Sequence, residues 1–187
     1  GRHFPRGTSV KSMAGLVAKG SVVAVLRGRQ GTGSVVGHRT VFASPTAESK
    51  RKMFSLVNAQ WYSQVRVLIT FEAAALYFAD PQRSPYMSFT MQLKPEHRER
   101  FKEVANAGHR LLVQTVTKAS EPWLYDVLQA LDGQTGLPMM MAVGFMHKEV
   151  AINSIRDGLR QLHAQPLLQG LFIEDFLFQK DSPCSLD

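Results

Sequence analysis

The side chains with which this chain could do chemistry are few and scattered. His97, His109, His147 and His163 reproduce neither an HExxH helix nor any closed ligand set, so no metal is expected. His147 precedes Lys148 and Glu149 near a helix start, where a capping or surface role suffices. Glu174 and Asp175 are neighbours in an apolar run read as a strand, which directs them to opposite faces and denies them the work of a carboxylate pair. The only cysteine, Cys184, excludes an internal disulfide and a thiolate metal cage, and it lies with Ser182 and Ser185 in a tail read as frayed. The run Gly31 to Gly37 (GTGSVVG) is one residue too long for GxGxxG, lacks a following Gly-Lys-Ser/Thr, and reads as a turn. No cofactor is expected, and no catalytic constellation is visible.

Charge is distributed more informatively. Residues 1–52 hold ten Lys or Arg against one acid, Glu48, a net of +9, whereas residues 53–187 carry twelve bases and fourteen acids, a net of −2. This places a basic arm before a nearly neutral body, and a polyanion is its natural partner. The arm is acid-poor and holds eight of the fourteen glycines, and the chain begins at Gly1. Those features resemble the surroundings of an organelle transit-peptide cleavage site.

The elements divide the chain into an arm over 1–45, an α/β domain over 46–180 and a tail over 181–187. The arm reads as mostly irregular, with short strands at 21–26 (SVVAVL) and 35–42 able to form a hairpin. A helix capped by Thr46 follows, with Met53, Phe54, Val57 and Trp61 on one face and Lys50, Arg51 and Lys52 on its outer surface. Residues 65–71 (VRVLITF) read as a buried strand and 76–93 as an irregular insertion. A helix over 94–108, a strand over 109–117, a helix from a Ser120 cap to Gly133, a strand over 138–145 (PMMMAVGF), a helix over 148–165 and a strand over 167–178 complete the order. The fold class is therefore α/β, a four-stranded sheet covered by crossover helices behind a basic, mostly irregular arm. No run approaches the ~18 apolar residues of a membrane span. Met139, Met140 and Met141 read as core rather than as a methionine-rich groove.

Four phrases in this order carry a family resemblance: 65–71 after a basic helix; Ala107-Gly108 before the strand 109–117; 136–145 (GLPMMMAVGF); and 168–177 (LQGLFIEDFL). Together they resemble ribosomal protein L-ten, the stalk-base protein of the large ribosomal subunit, known as P-zero in the eukaryotic cytosol. The family's Lys-Asn is replaced by Thr115-Val116, with Lys118 the nearest base. The 76–93 insertion and the end at Asp187, where the family continues into a stalk-binding helix, are further departures. The resemblance implies a structural, non-enzymatic constituent of a mitochondrial large ribosomal subunit in the matrix. Its partners would be ribosomal RNA, an L-eleven-like neighbour and, optionally, stalk dimers, with no membrane partner. Arg2, Arg6, Lys11, Arg27, Arg29, Lys50, Arg51, Lys52 and, through the resemblance, Lys118 are the candidate RNA-binding residues. The alternatives are a ribosome assembly factor of the same fold, an RNA-free scaffold subunit of an organelle complex, and a small α/β enzyme holding a phosphate with Gly31 and Gly33.

Overall fold

Apolar runs bounded by glycine and proline make central strands buried on both faces, and side chains two residues apart share a face. The structure, a computed structural model, describes residues 2–3, 6–29, 36–58, 64–147 and 150–180. In chain order the elements are β1 (Arg2–His3), α1 (Arg6–Ala18), β2 (Val23–Leu26), β3 (Arg39–Ala43), α2 (Ala47–Val57), β4 (Arg66–Thr70), α3 (Phe71–Tyr77), β5 (Phe89–Gln92) and α4 (Pro95–Arg98). There follow β6 (Arg110–Val116), α5 (Pro122–Thr135), β7 (Met139–Gly144), β8 (Met146–His147), β9 (Val150–Ala151), α6 (Ile155–Ala164), β10 (Gly170–Ile173) and β11 (Phe176–Gln179).

Nine strands form one sheet in the order β1-β11-β10-β2-β3-β7-β4-β6-β5, and β8 pairs with β9 in a separate hairpin. The pairs β10–β2 and β4–β6 are parallel and the others antiparallel. The period of two explains the three consecutive methionines. Met140 packs with Val23, Val25, Phe42 and Leu68 under α1 and α5, while Met139 and Met141 join Val41, Val67 and Ile69 on the opposite face, beneath α2, α3 and α6. The molecule is thus a three-layer α/β structure.

The α/β class holds, but the sheet is nine-stranded rather than four-stranded. Of the added strands, β2 and β3 are the expected hairpin joined to the sheet, whereas β1, β5 and β11 lie where no separate strand is expected. In the segment expected to be irregular, α1 buries Val10, Met13, Ala14 and Val17, a helical stripe masked by Gly7, Thr8, Ser9, Ser12 and Gly15. The expected hairpin in that segment is present, with Leu26 opposite Arg39. Residues 30–35, which include most of the glycine run, lie outside the described residues, as do Trp61, Lys148, Ser182, Cys184 and Ser185.

Several elements follow the sequence closely. The Thr46 hydroxyl accepts the Ser49 amide at 3.2 Å, capping α2 as expected, and β4, β6 and β7 fall within the anticipated strands. Others differ for local reasons. After α4 the chain continues in single turns, such as Val104 N–H to Phe101 O, which still bury Phe101 and Val104 without a full helix. The Ser120 hydroxyl donates to Thr117 O instead of capping α5, so Glu121 occupies the cap position. Gly136, at φ 67°, closes α5 in the left-handed conformation that glycine adopts without a Cβ clash. The segment 76–93 contributes the end of α3 and the edge strand β5. The last apolar run is a β10–β11 hairpin, with Glu174 at φ 50° in its turn.

Phe42 is fully buried between β2 and β7. Phe42→Ala is expected to destabilise the chain by about 3–5 kcal/mol in urea unfolding, whereas Leu76→Ala, at a 64% exposed position, should stay within about 0.5 kcal/mol.

Candidate functional site

A gathering of half-buried ionisable groups lies at the start of α5, where β2 ends, β3 begins and the β10–β11 turn folds over. Trp123 is 7% exposed, and its indole N–H donates to the Ser9 hydroxyl of α1 at 3.4 Å. Over its ring, 4.4 Å from the centroid, lies the Arg27 guanidinium, a cation–π contact. Arg27 also donates to Asp175 Oδ1 at 3.0 Å and to the Glu174 carbonyl. The Ser9 hydroxyl donates to the same Asp175 oxygen at 2.8 Å, and the Gly28 amide donates to Glu174 Oε1 at 2.7 Å. Glu174 and Asp175 thus sit in the β10–β11 turn and not in a strand as expected, and their carboxylates take separate partners.

A second group joins this one. The His38 Nδ1 lies 3.1 Å from the Arg27 carbonyl, and Nε2 lies 3.8 Å from Glu121 Oε1. Arg39 donates to the backbone carbonyls of Arg27 (2.9 Å), His38 (3.0 Å) and Gly28 (3.1 Å), while its Nε–H is buried without a partner. The Gly37 amide donates to Thr40 Oγ1 at 3.0 Å and the Val36 amide to Gln114 Oε1 at 3.3 Å. Gly37 has φ +128°, and a Cβ there would lie 3.5 Å from Leu124 Cδ2 and 4.0 Å from Glu121 Oε2. Glycine is required for the backbone angle, and the segment sits directly against α5.

Burial holds the Glu121 carboxyl above the usual carboxylate range, and His38 opposes that rise. The arrangement offers guanidinium cations, amide and hydroxyl donors, and a carboxylate whose affinity for a proton is raised. The donors are engaged within the cluster, Arg27 with Asp175 and Arg39 with three carbonyls, so a polar, partly anionic ligand would bind there by exchanging some of these bonds.

At the opposite end of α5, about 20 Å away at 1.5 Å per residue, a cleft of about 340 Å³ is lined by Ala18, Thr46, Ala47, Leu131, Leu137 and Met139 among others. Of the charges lining it, Lys102 pairs with Glu99 at 2.6 Å and the Arg100 guanidinium lies 5.5 Å from the centroid of the Phe101 ring.

The expected RNA-binding residues do not converge. Lys11 is exposed on α1, whereas Lys50, Arg51 and Lys52 lie on α2 across the sheet. Lys52 pairs with Glu48 at 2.6 Å, Lys118 pairs with Asp126, and Arg29 is exposed beyond Gly28. Arg2 and Arg6 lie in β1 and α1, and nothing of their side chains is described. Of the candidates whose side chains are described, only Arg27 belongs to the cluster. Of the histidines, His97 stacks on Tyr77 at 4.8 Å far along the chain from the cluster, and no group of three or more His, Cys, Asp or Glu among the described residues could hold a metal. The sequence reading passed over His38, Arg39, Thr40, Gln114 and Glu121. Gly37-His38-Arg39-Thr40 is a polar interruption between two apolar strands, the one local signal available.

Residues 14–180 match the family described as carbamoyltransferase C-terminus. The chain is 26% identical over 182 residues to nodulation protein NolO of Bradyrhizobium diazoefficiens, covering 94% of this chain and 33% of that protein. It is 24% identical over 146 residues to an uncharacterized protein of Methanocaldococcus jannaschii, covering 77% and 28%. Nodulation protein U of Rhizobium tropici is 24% identical over 134 residues, covering 71% and 23%. The chain thus spans about a quarter to a third of the length of these relatives. In fold it is similar to the crystal structure of Escherichia coli YciO, at a TM-score of 0.63 and 12% identity, covering 93% of this chain and 81% of that one.

These findings overturn the ribosomal reading. The stalk-base resemblance, the ribosomal RNA and ribosomal-protein partners, and the assignment as a non-enzymatic ribosomal constituent all give way to a family of transferase domains matched over 167 residues. The phrases behind that resemblance are what any strand following a Gly or Pro turn in an α/β sheet requires. The alternatives of assembly factor and organelle scaffold gain no support either.

A carboxyl whose folded pKa is raised binds protons more readily folded than unfolded. Glu121 therefore lowers stability as pH rises from the ordinary carboxylate value through its raised one. Glu121→Gln removes this loss, so urea midpoints of wild type and variant should diverge in the variant's favour across that weakly acidic window; parallel midpoints would contradict the assignment.

Proposed function

We infer that this chain, which belongs to the family of carbamoyltransferase C-terminal domains, is one module of a longer enzyme that transfers a carbamoyl group, and that the cluster at the start of α5 takes part in holding the reacting group. The match over residues 14–180 carries this reading. Its relatives are about three times as long, so the transfer belongs to the larger protein and this module supplies part of its binding surface.

The chemistry required and the groups present correspond. A carbamoyl group is planar, with one carbonyl acceptor and two N–H donors, and in activated form it is joined to a leaving group that departs as an anion. Transfer to a hydroxyl or amine requires stabilising the departing anion, polarising the carbonyl and removing a proton from the acceptor. Arg27 and Arg39 provide fixed positive charge where β2 turns towards β3, and Asp175 with the backbone carbonyls holds both guanidinium groups in place. Fixed donors of this kind act without reorganising as charge develops. Glu121 supplies a half-buried carboxyl that matches a carbamoyl N–H, while Thr40 and Gln114, both buried, hold the Gly37 and Val36 amides beside it.

The polypeptide that contains this chain in full is expected to transfer isotopically labelled carbamoyl from carbamoyl phosphate to a hydroxyl or amine acceptor. Arg27→Lys keeps the charge but not the forked geometry, and it should lower kcat/KM by about tenfold or more while circular dichroism stays unchanged. No transfer by the wild type across an acceptor panel would overturn the proposal.

A further inference from the structure

One edge of the main sheet is β5, which pairs with β6 on its inner side. Among the described residues no named strand lies beyond it, and only Phe78 bridges to Leu93 just past its end. From Met87 to Leu93 (MSFTMQL) the chain carries no charge, no proline and no glycine, and Phe89 and the nearby Tyr86 are 45% and 64% exposed. An uncharged, apolar strand on a sheet edge is the pattern that pairs with its own copies, because each copy offers the other a row of unpaired N–H and C=O groups.

The register decides which groups face outward. The Leu93 amide donates across the ladder to the His109 carbonyl at 2.9 Å. Inward and outward residues alternate in an antiparallel pair, so Met91 and Phe89 also face β6, while Gln92 and Thr90 turn their backbone groups outward. Three of those four groups are covered. The Gln92 amide donates to Asp80 Oδ1 at 2.5 Å, the Gln92 carbonyl accepts the Ala79 amide at 2.9 Å, and the Thr90 carbonyl accepts from Arg110 Nη2 at 2.6 Å. The Thr90 amide is the group left open. Arg110 is the centre of this cover. It starts from β6 opposite Gln92, and its guanidinium also donates to Thr90 Oγ1 (3.1 Å), Gln92 Oε1 (3.2 Å) and Asp80 Oδ2 (2.8 Å). Asp80 thus holds the strand with one carboxylate oxygen and the guanidinium with the other. An incoming strand would have to displace this fixed charge from the edge and strip its water.

We propose that Asp80 and Arg110 form a plug that closes the β5 edge against antiparallel pairing with the β5 of a second copy, and that opening the plug turns this edge into a dimer interface. Two copies would meet about a twofold axis, with Thr90 and Gln92 of each exchanging backbone bonds with those of the other. The second copy is the occupant because the edge carries the charge-free sequence that matches itself, and the two groups that interrupt it, Asp80 and Arg110, both come from outside β5.

Sedimentation velocity of the chain from about 10 μM to about 1 mM tests this, the range in which exposed strand edges associate. The wild type should sediment as a monomer throughout. Asp80→Ala, which frees the Gln92 amide and releases the guanidinium, should rise with concentration towards about twice the monomer mass. Hydrogen exchange of the Thr90 and Gln92 amides should slow as that dimer forms. Adding Phe89→Lys, which sets a charge on the exposed flank of β5, should restore the monomer. Arg110→Gln leaves Asp80 on the Gln92 amide but takes the cation from the Thr90 carbonyl, and it should associate in the same way; it serves as the test if circular dichroism shows Asp80→Ala to be unfolded. Folded variants that stay monomeric, association that leaves the Thr90 and Gln92 exchange unchanged, or a wild type that itself dimerises through these amides would each overturn the proposal.

Discussion

The Arg27 guanidinium lies on the Trp123 ring and against Asp175, and the arrangement of this end of the molecule depends on that contact. One side chain, 16% exposed, ties together the end of β2, the β10–β11 turn and the start of α5, and Ser9 brings in α1 through both Asp175 and Trp123. A guanidinium suits this place because its planar fork stacks on an aromatic face and donates in-plane to oxygen at the same time, which an ammonium does not do. Once Arg27 is placed, its own carbonyl becomes the acceptor for His38 and Arg39, so the approach to β3 is fixed by the same residue. The polar cluster is therefore a consequence of the fold's closure as well as its candidate site.

Beneath the cluster, the sheet imposes the geometry. Strands β2, β3, β7 and β4 are buried on both faces, and each shifts its neighbours' side chains by the two-residue period, so the helices above and below are held at fixed positions. α1 and α5 run side by side over one face, which brings Ser9 beside Trp123 at one end and Ala18 near Leu131 and Thr135 at the other. The polar cluster and the 340 Å³ cleft are thus the two ends of a single helix pair, one rich in ionisable groups and the other floored by Leu137 and Met139.

What was legible in the sequence is what local chemistry decides. The runs VRVLITF, HRLLVQTV and PMMMAVGF declare strands because only a doubly buried strand tolerates them, and Thr46 declares a helix start through its hydroxyl. The helix α1 was hidden because its glycines and serines dilute a stripe whose partner, α5, lies more than a hundred residues later. Glu174 and Asp175 misread as strand because nothing nearby announces that Glu174 adopts φ 50° and turns the chain. His38 and Glu121 are 83 positions apart, and only the packing of the glycine at 37 against α5 makes them neighbours. The cations that dominate the composition proved a poor guide to function, since many are engaged by nearby acids or carbonyls and they occupy both faces of the sheet. The ribosomal resemblance rested on strand-forming phrases that lie inside the region matched by the carbamoyltransferase family.

The central claim is that the cluster at the start of α5 binds the carbamoyl-bearing group, and NMR titration of the isotopically labelled chain with carbamoyl phosphate tests it most directly. The account predicts saturable shifts concentrated on the amides of Gly28, Val36, Gly37 and His38 and on the Trp123 indole, with Thr46, Ala47 and Leu137 at the far end of α5 unmoved. Shifts centred on those last three residues, or none at concentrations where the full enzyme transfers carbamoyl, would contradict it.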